Sequence, residues 1–464
     1  CCCGTQIGIG WGPGLTRELA RWMVHGAADI SMRDYDPRRF GSYATKDWQV
    51  IKAKEDYCLR HEIPFPHFNR LAGRPVKPSP FHERLKAKGA VHEEVYGHER
   101  PRFFAKGIPQ EDHYSFRRTP VDAMIAAEVK AVRERAGIMD ITGFTKVRVS
   151  GPGSGAALDR LTGNRLPKPG RVGLTHMLNE AGRIELETTI INMSSEAGEA
   201  YYLVCAAFFE QRLLDHLAKH GVEGVENLSD DWAALTINGP RARDILAACT
   251  DAPLHNAAFP WMAARQITVA GQSLWAFRMS YAGELGWELH IPRAGTLAVY
   301  DALWAAGEAH GLADYGSFAM NAMRMEKGFK GAGELTNEVT LREADVLRFV
   351  RQDKDFLGAD ITFADPKWLC AYLEIDPDGE IDGHGGEAVL LNGAVVGSTS
   401  SVAFGPTVGK ILAFAYLAPH AAEPGTELEV VIHGTPRAAR ILAEPAYDPT
   451  SDLPRTDAVT EPAE

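Results

Sequence analysis

Three observations make this chain an α+β protein of several domains, with a duplicated α+β module followed by an antiparallel β-barrel. First, a strand that meets Gly-Pro and continues into a helix occurs twice. Lys146-Val-Arg-Val-Ser150 runs into Gly151-Pro and a helix over 156–161, and Ala234-Leu-Thr-Ile-Asn238 runs into Gly239-Pro and a helix over 243–249. The junction glycines lie 88 residues apart, the sign of an internal repeat. The junction is common enough that coincidence is the alternative at this point. Second, short strands crowd the region past Pro366, and Asn392-Gly393 between two of them is a strong hairpin signal. Third, 464 residues exceed one ordinary core.

Five segments follow along the chain. In 1–41, Ile7-Gly-Ile-Gly-Trp-Gly-Pro-Gly14 reads as a Gly-rich loop leading into an amphipathic helix that stops at Gly26. It is not G-x-G-x-x-G, and a plain turn outweighs a dinucleotide site. Segment 42–115 is rich in Pro, Arg, His and aromatics; a helix over 48–60 is its main regular element, and the rest is expected to be irregular. From 116 to 365 the pattern becomes regular. A helix over 121–136 ends at Gly137. Strands over 176–190 turn at Ala181-Gly182, and Ala200-Tyr-Tyr-Leu-Val-Cys205 is a buried strand. Helices over 297–309 and 318–329 follow. In 366–450, strands over 371–375, 388–392, 394–397, 413–417 and 428–432 have barrel spacing. The Pro- and acid-rich tail, 451–464, is expected to be disordered.

Composition narrows the function. A net charge of −12 argues against general nucleic-acid binding. No apolar run approaches the ~20 residues of a membrane helix. Four cysteines scattered singly (Cys58, Cys205, Cys249 and Cys370) read as reduced thiols of a cytoplasmic protein, and no metal-ligand spacing is present. The adjacent Cys1, Cys2 and Cys3 read as a frayed end.

One segment carries most of the chemistry. Arg278-Met-Ser-Tyr-Ala-Gly-Glu-Leu-Gly-Trp-Glu288 reads as a hairpin with a tight Gly-containing turn and bears Tyr281, Glu284 and Glu288. A carboxylate on a rigid strand can accept two adjacent N–H groups from a planar heterocycle such as a pterin, a guanine or a guanidine. Loop carboxylates are ordinarily just solvated, so the segment alone does not establish a site.

Further motifs support it. Gly137-Ile-Met-Asp-Ile-Thr-Gly-Phe-Thr-Lys-Val-Arg-Val-Ser-Gly-Pro152, Met177-Leu-Asn-Glu-Ala-Gly-Arg-Ile184, Asn238-Gly-Pro-Arg-Ala242, Met323-Arg-Met-Glu-Lys-Gly328 and Asp355-Phe-Leu-Gly358 stand in order around it. With these motifs the chain resembles the folate-binding aminomethyltransferase of the glycine cleavage system. It is similar above all to the C-terminal half of dimethylglycine and sarcosine dehydrogenases. The resemblance covers about residues 116–450. Residues 7–41 look like the exit of the flavin domain in those dehydrogenases, and 42–115 like a connecting, central domain. The part that binds the ADP of FAD has no counterpart here, so the chain reads as a two-part enzyme without most of its first part, whether fragment or native truncation.

The resemblance implies an aminomethyltransferase-like fold and tetrahydrofolate as cofactor, with FAD only if a separate flavin domain supplies it. Glu288 matches the pterin-binding carboxylate, Tyr281 a folate-contacting tyrosine, and Arg324 a folate-lining helix. Glu284 is carried with them as a candidate. Glu187 matches the carboxylate beside the reacting nitrogens, although the family has Asp there, preceded by Gly-Gly. Glu185, on the same strand face, is its alternative. The implied partners are a methylated amine or its iminium and a flavin-domain chain. A non-catalytic folate-binding scaffold and a subunit that borrows its FAD site are the competing readings.

Overall fold

A computed structural model describes residues 8–26, 28–105, 114–377 and 379–457. The N-terminal segment holds α1 (Gly8–His25) and α2 (Lys46–Leu59), and the Thr45 side chain accepts from Trp48 N to cap α2. Helix α1 begins at Gly8 and includes Pro13, so the expected Gly-rich loop is helical from that residue on. Pro13 has no N–H to donate within the helix, and, separately, the Thr16 hydroxyl donates to the carbonyls of Gly12 and Pro13. Residues 42–115 are also less irregular than expected. From Phe81 onward they form α3 (His82–Ala87) and the antiparallel pair β1 (Ala90–Val95) and β2 (His98–Phe104). Phe81, Leu85, Ala90 and Phe104 join the largest apolar core.

Helix α4 (Pro120–Glu134) opens with a capping box between Thr119 and Asp122 and Pro120 in its first turn. The chain then enters β3 (Ala136–Asp140), where Gly137 lies inside a strand rather than ending the helix. A Cβ at 137 would fall 2.5 Å from Val132 and 2.7 Å from Tyr315, so close packing is what requires glycine there.

Two modules follow. The first is β4 (Thr145–Ser150), α5 (Ser154–Leu161), β5 (Val172–Leu178), β6 (Ile184–Asn192), β7 (Ala200–Cys205), α6 (Glu210–Lys219) and β8 (Val225–Asn227). The second is β9 (Trp232–Asn238), α7 (Ala242–Ala247), β10 (Ala264–Val269), β11 (Gln272–Phe277), β12 (Gly286–Pro292), α8 (Thr296–Gly307) and β13 (Leu312–Asp314). Their sheets run β5-β6-β7-β4-β8 and β10-β11-β12-β9-β3-β13. Within each module, therefore, the first strand lies beside the last strand of a three-stranded meander.

The likeness extends to single residues. Gly151 and Gly239 have φ of +116° and +121°, and their N–H groups donate to Glu199 O and Leu285 O, one residue before β7 and β12. The modules meet at an Arg171–Ala263 bridge. Val172 N donates to Met262 O and Ala264 N donates to Gly170 O, both at 2.9 Å. By strand register Val172 and Ala264 are equivalent, so this exchange makes a local two-fold relation. Val172, Ile191 and Tyr202 pack with Ala264 and Phe277 in one core across it.

After α9 (Ser317–Glu326) and α10 (Ala359–Thr362), a closed barrel contains β14 (Leu369–Ile375), β15 (Ala388–Leu391), β16 (Ala394–Gly405), β17 (Lys410–Leu417), β18 (Glu427–Ile432) and β19 (Thr435–Ile441). Asn392 and Gly393 both have positive φ, as a two-residue hairpin turn of the primed type requires. Strand β19 has no counterpart among the strands read from sequence, because Pro436 and two arginines blur its alternation. Residues 451–457 of the tail lie against the body, with carbonyls of Pro454 and Thr456 accepting from Arg278. The rest of the expected disordered tail, and the cysteines at 1–3, lie outside the described residues.

Candidate functional site

The loop between β11 and β12 is the centre of the site, and it is not a tight turn. It spans residues 278–285, and tertiary contacts hold it. Arg278 is fully buried and donates to Phe259 O at 2.7 Å. Ala282, Glu284 and Leu285 are buried as well. Gly283 has φ +80°, and a Cβ there would fall 2.3 Å from Lys327 Cγ.

Tyr281 leaves this loop 37% exposed. Its hydroxyl donates to Lys330 O at 3.0 Å, and its ring stacks on Phe329 with centroids 5.9 Å apart. Arg324 stands in α9 beneath the same turn, donating to Asn321, to Phe329 O at 3.0 Å and to Glu334 at 3.3 Å. Burial raises the Tyr281 phenol pKa; the Arg324 charge opposes this, and Glu187 and Glu334 add to it. Glu187 therefore lies within electrostatic reach of Tyr281. The structure brings Tyr281 and Arg324 together over the segment 329–331.

The four candidate carboxylates separate by what holds them. Glu284 is buried, 2.8 Å from Arg133, and accepts from Tyr447 at 2.9 Å. Arg133 also pairs with Glu326, which accepts from Thr407 of the barrel. Burial raises the Glu284 pKa, with Arg133 and Tyr447 opposing. This carboxylate braces the loop against α4 and the segment after the barrel. Glu185 is likewise committed, since Arg212 of α6 donates to it and Arg33 donates to its main-chain carbonyl.

Among the described residues Glu187 and Glu288 have no such cation. His176 Nε2 stands 3.4 Å from Glu187, at the cross-strand position in β5. His290 Nε2 stands 3.6 Å from Glu288, two residues along β12. Both imidazoles are buried, and both Nε2 atoms have no hydrogen-bond partner among the described residues. Glu187 and Glu288 keep partial solvent access, 29% and 15% of their side chains. They are thus two acceptors with unused capacity, the condition for binding N–H groups of a ligand.

Sequence reading missed both histidines. A lone apolar-face histidine gives no signal by itself; strand register sets His176 beside Glu187, and the two-residue alternation within β12 puts His290 on the same face as Glu288. Among the described residues no cluster of metal-ligating side chains is present, and no helix is long and apolar enough to cross a membrane.

Comparison with known proteins agrees with this architecture. The family profile "GCVT N-terminal domain" matches residues 81–354, "Glycine cleavage T-protein C-terminal barrel domain" matches 370–448, and "FAD dependent oxidoreductase central domain" matches 25–79. Human mitochondrial dimethylglycine dehydrogenase is 32% identical over 95% of this chain and 52% of its own length. The chain thus spans about half the length of the dehydrogenase relatives it matches. Aminomethyltransferase from Saccharopolyspora erythraea is 33% identical over 69% of this chain and 89% of its own. The crystal structure of glycine cleavage system aminomethyltransferase T from Bartonella henselae superposes with a TM-score of 0.69 at 22% identity, over 80% of this chain and 98% of that one. The chain belongs to the glycine cleavage T-protein family, whose aminomethyltransferase-like fold it has.

Proposed function

We propose that this chain catalyses tetrahydrofolate-dependent one-carbon transfer, as the folate half of an enzyme that demethylates an N-methylated amine such as dimethylglycine or sarcosine. The observation that carries the reading is the pair of uncommitted carboxylates, Glu187 and Glu288, each with a buried histidine at 3.4–3.6 Å, in a chain that also holds the Tyr281–Phe329 stack braced by Arg324. Glu288 accepts two adjacent N–H groups of the pterin, the recognition a carboxylate performs best. Tyr281 and Arg324 line the path of the folate. Glu187 takes the proton from the attacking nitrogen and returns it to the departing amine. The surrounding walls keep water from a formaldehyde-level carbon.

A flavin held by another domain would supply the oxidation that makes the iminium donor. Exposed apolar side chains concentrate in the N-terminal part: Ile9, Trp11, Met23, Val24, Ile63 and Leu71 are all about half exposed or more. Such residues suit contact with a flavin-bearing domain.

Calorimetry with tetrahydrofolate and a coupled assay supplied with an iminium donor test the reading. Binding with turnover is expected. Binding without turnover would favour a non-catalytic folate module, and absence of binding would overturn both.

A further inference from the structure

We propose that His290, locked by Tyr202, is the positioning residue that aims Glu288 at the pterin. The inference rests on the folate reading above.

The contact crosses the boundary between the modules. Tyr202 is in β7 of the first module and His290 in β12 of the second, 3% and 1% exposed. The Tyr202 hydroxyl meets His290 Nδ1 at 3.0 Å. Phe277 packs against both rings, with centroids 4.7 Å from His290 and 6.0 Å from Tyr202. The imidazole therefore has one orientation.

The tautomer follows from the partners. Burial, with Glu288 adding, keeps the Tyr202 phenol protonated far above its ordinary range. Burial also lowers the His290 pKa, with Glu288 opposing, and so favours the neutral ring. A neutral phenol can donate to Nδ1 or accept from it, but Nε2 faces a carboxylate that can only accept, so the phenol is the donor to Nδ1. The ring proton of His290 then resides on Nε2. Nε2 faces Glu288 Oε2 at 3.6 Å and has no other partner among the described residues.

A donor N–H is thus aimed at the anchor carboxylate, just beyond bonding distance. A small rotation of Glu288 closes that gap and leaves its remaining lone pairs for the ligand. By strand register Tyr202 occupies in the first module the position Glu288 occupies in the second. One module thereby supplies the anchor, and the equivalent residue of the other sets its direction.

The test combines imidazole ¹⁵N NMR with folate binding in the full chain. The wild-type spectrum should show His290 as the Nε2–H tautomer, and Tyr202→Phe should shift it toward a mixture. Tyr202→Phe and His290→Leu should each weaken tetrahydrofolate binding about 3- to 10-fold, the worth of one hydrogen bond. In both variants kcat should change less than KM. His290→Gln, which retains an N–H near Nε2, should bind within about two-fold of wild type. Tyr202→Phe deletes one oxygen and keeps the result readable if His290→Leu does not fold. An Nδ1–H tautomer in the wild type overturns the proposal, as does wild-type affinity in Tyr202→Phe. If the wild-type chain itself binds no tetrahydrofolate, the folate reading fails, and this inference fails with it for a separately visible reason.

Discussion

At the scale of single residues, Glu284 and Glu288 are four positions apart and have opposite environments. Glu284 is an occupied carboxylate, buried between Arg133 and Tyr447. Among the described residues Glu288 has no cationic partner but the His290 imidazole at 3.6 Å. Glu288→Gln should therefore weaken tetrahydrofolate binding by about 1.5–3 kcal/mol in calorimetry with little change in Tm, because an acceptor becomes a donor. Glu284→Gln should do the reverse. It weakens one of the two carboxylate contacts of buried Arg133, which keeps Glu326, and should destabilise the fold by about 1–3 kcal/mol, read as a lower denaturation midpoint. Equal losses of affinity in both would show that the anchor is misassigned. Glu187→Ala should leave folate affinity within about three-fold and remove most one-carbon transfer, since its work lies in the reaction step. Glu185→Ala, which breaks the contact to Arg212, should affect stability first. If Glu185→Ala stops transfer and Glu187→Ala does not, the catalytic role moves two residues.

At the scale of elements, the loop 278–285 shows how a site is held without regular structure. Its backbone follows a path that local preference does not choose. Gly283 adopts φ +80° against the stem of Lys327, which is itself fully buried and 3.0 Å from Asp448. Gly283→Ala combines left-handed strain with a clash, so we expect a loss of about 1–3 kcal/mol and weaker folate binding as Tyr281 shifts. A Tm equal to wild type would show that the loop yields freely. The Asn392-Gly393 hairpin is the contrasting case. Its turn chemistry is local and exposed, and it was legible from two residues. The 278–285 segment was legible as two strands around a glycine, but not as a buried loop, because the contacts that bury it come from Phe259, Lys327 and the tail.

At the scale of the molecule, two modules related by a local two-fold meet along Val172–Ala264, with the barrel fastened to them. Thr407 donates to Glu326, Ser400 to Glu334, and the Tyr416 hydroxyl to Glu334 O. In β4 of the first module, Lys146 is buried, with its ammonium on the carbonyls of Thr142 and Phe144. Burial pushes its pKa from 10.5 down to about 8, with Asp140 opposing. Between about pH 8 and 10.5 the unfolded chain therefore holds a proton that the folded protein has released. Stability from this residue rises with pH through that window and is smallest below pH 8. The difference between wild type and Lys146→Met in chemical denaturation should change in this sense, by on the order of 3 kcal/mol in total. A pH-independent difference from pH 7 to 10.5 would show that the ammonium keeps its ordinary pKa.

What the sequence by itself determined is what short-range chemistry encodes. The two strand–Gly-Pro–helix junctions, the strand and helix periods, the Asn392-Gly393 turn and the motifs around Glu288 all depend on neighbours within a few residues. They sufficed for the fold class, the duplication and the family. Only the tertiary structure decided which carboxylates are free. Glu185, Glu187, Glu284 and Glu288 look alike in sequence, yet Arg212 and Arg133 engage two of them from distant elements, and His176 and His290 stand beside the others. Strand register and packing set those pairings across up to 151 positions of chain. The arginine partners of Glu185 and Glu284 are properties of the folded space around them, which no local pattern records, whereas the Glu288–His290 neighbourhood is local to β12.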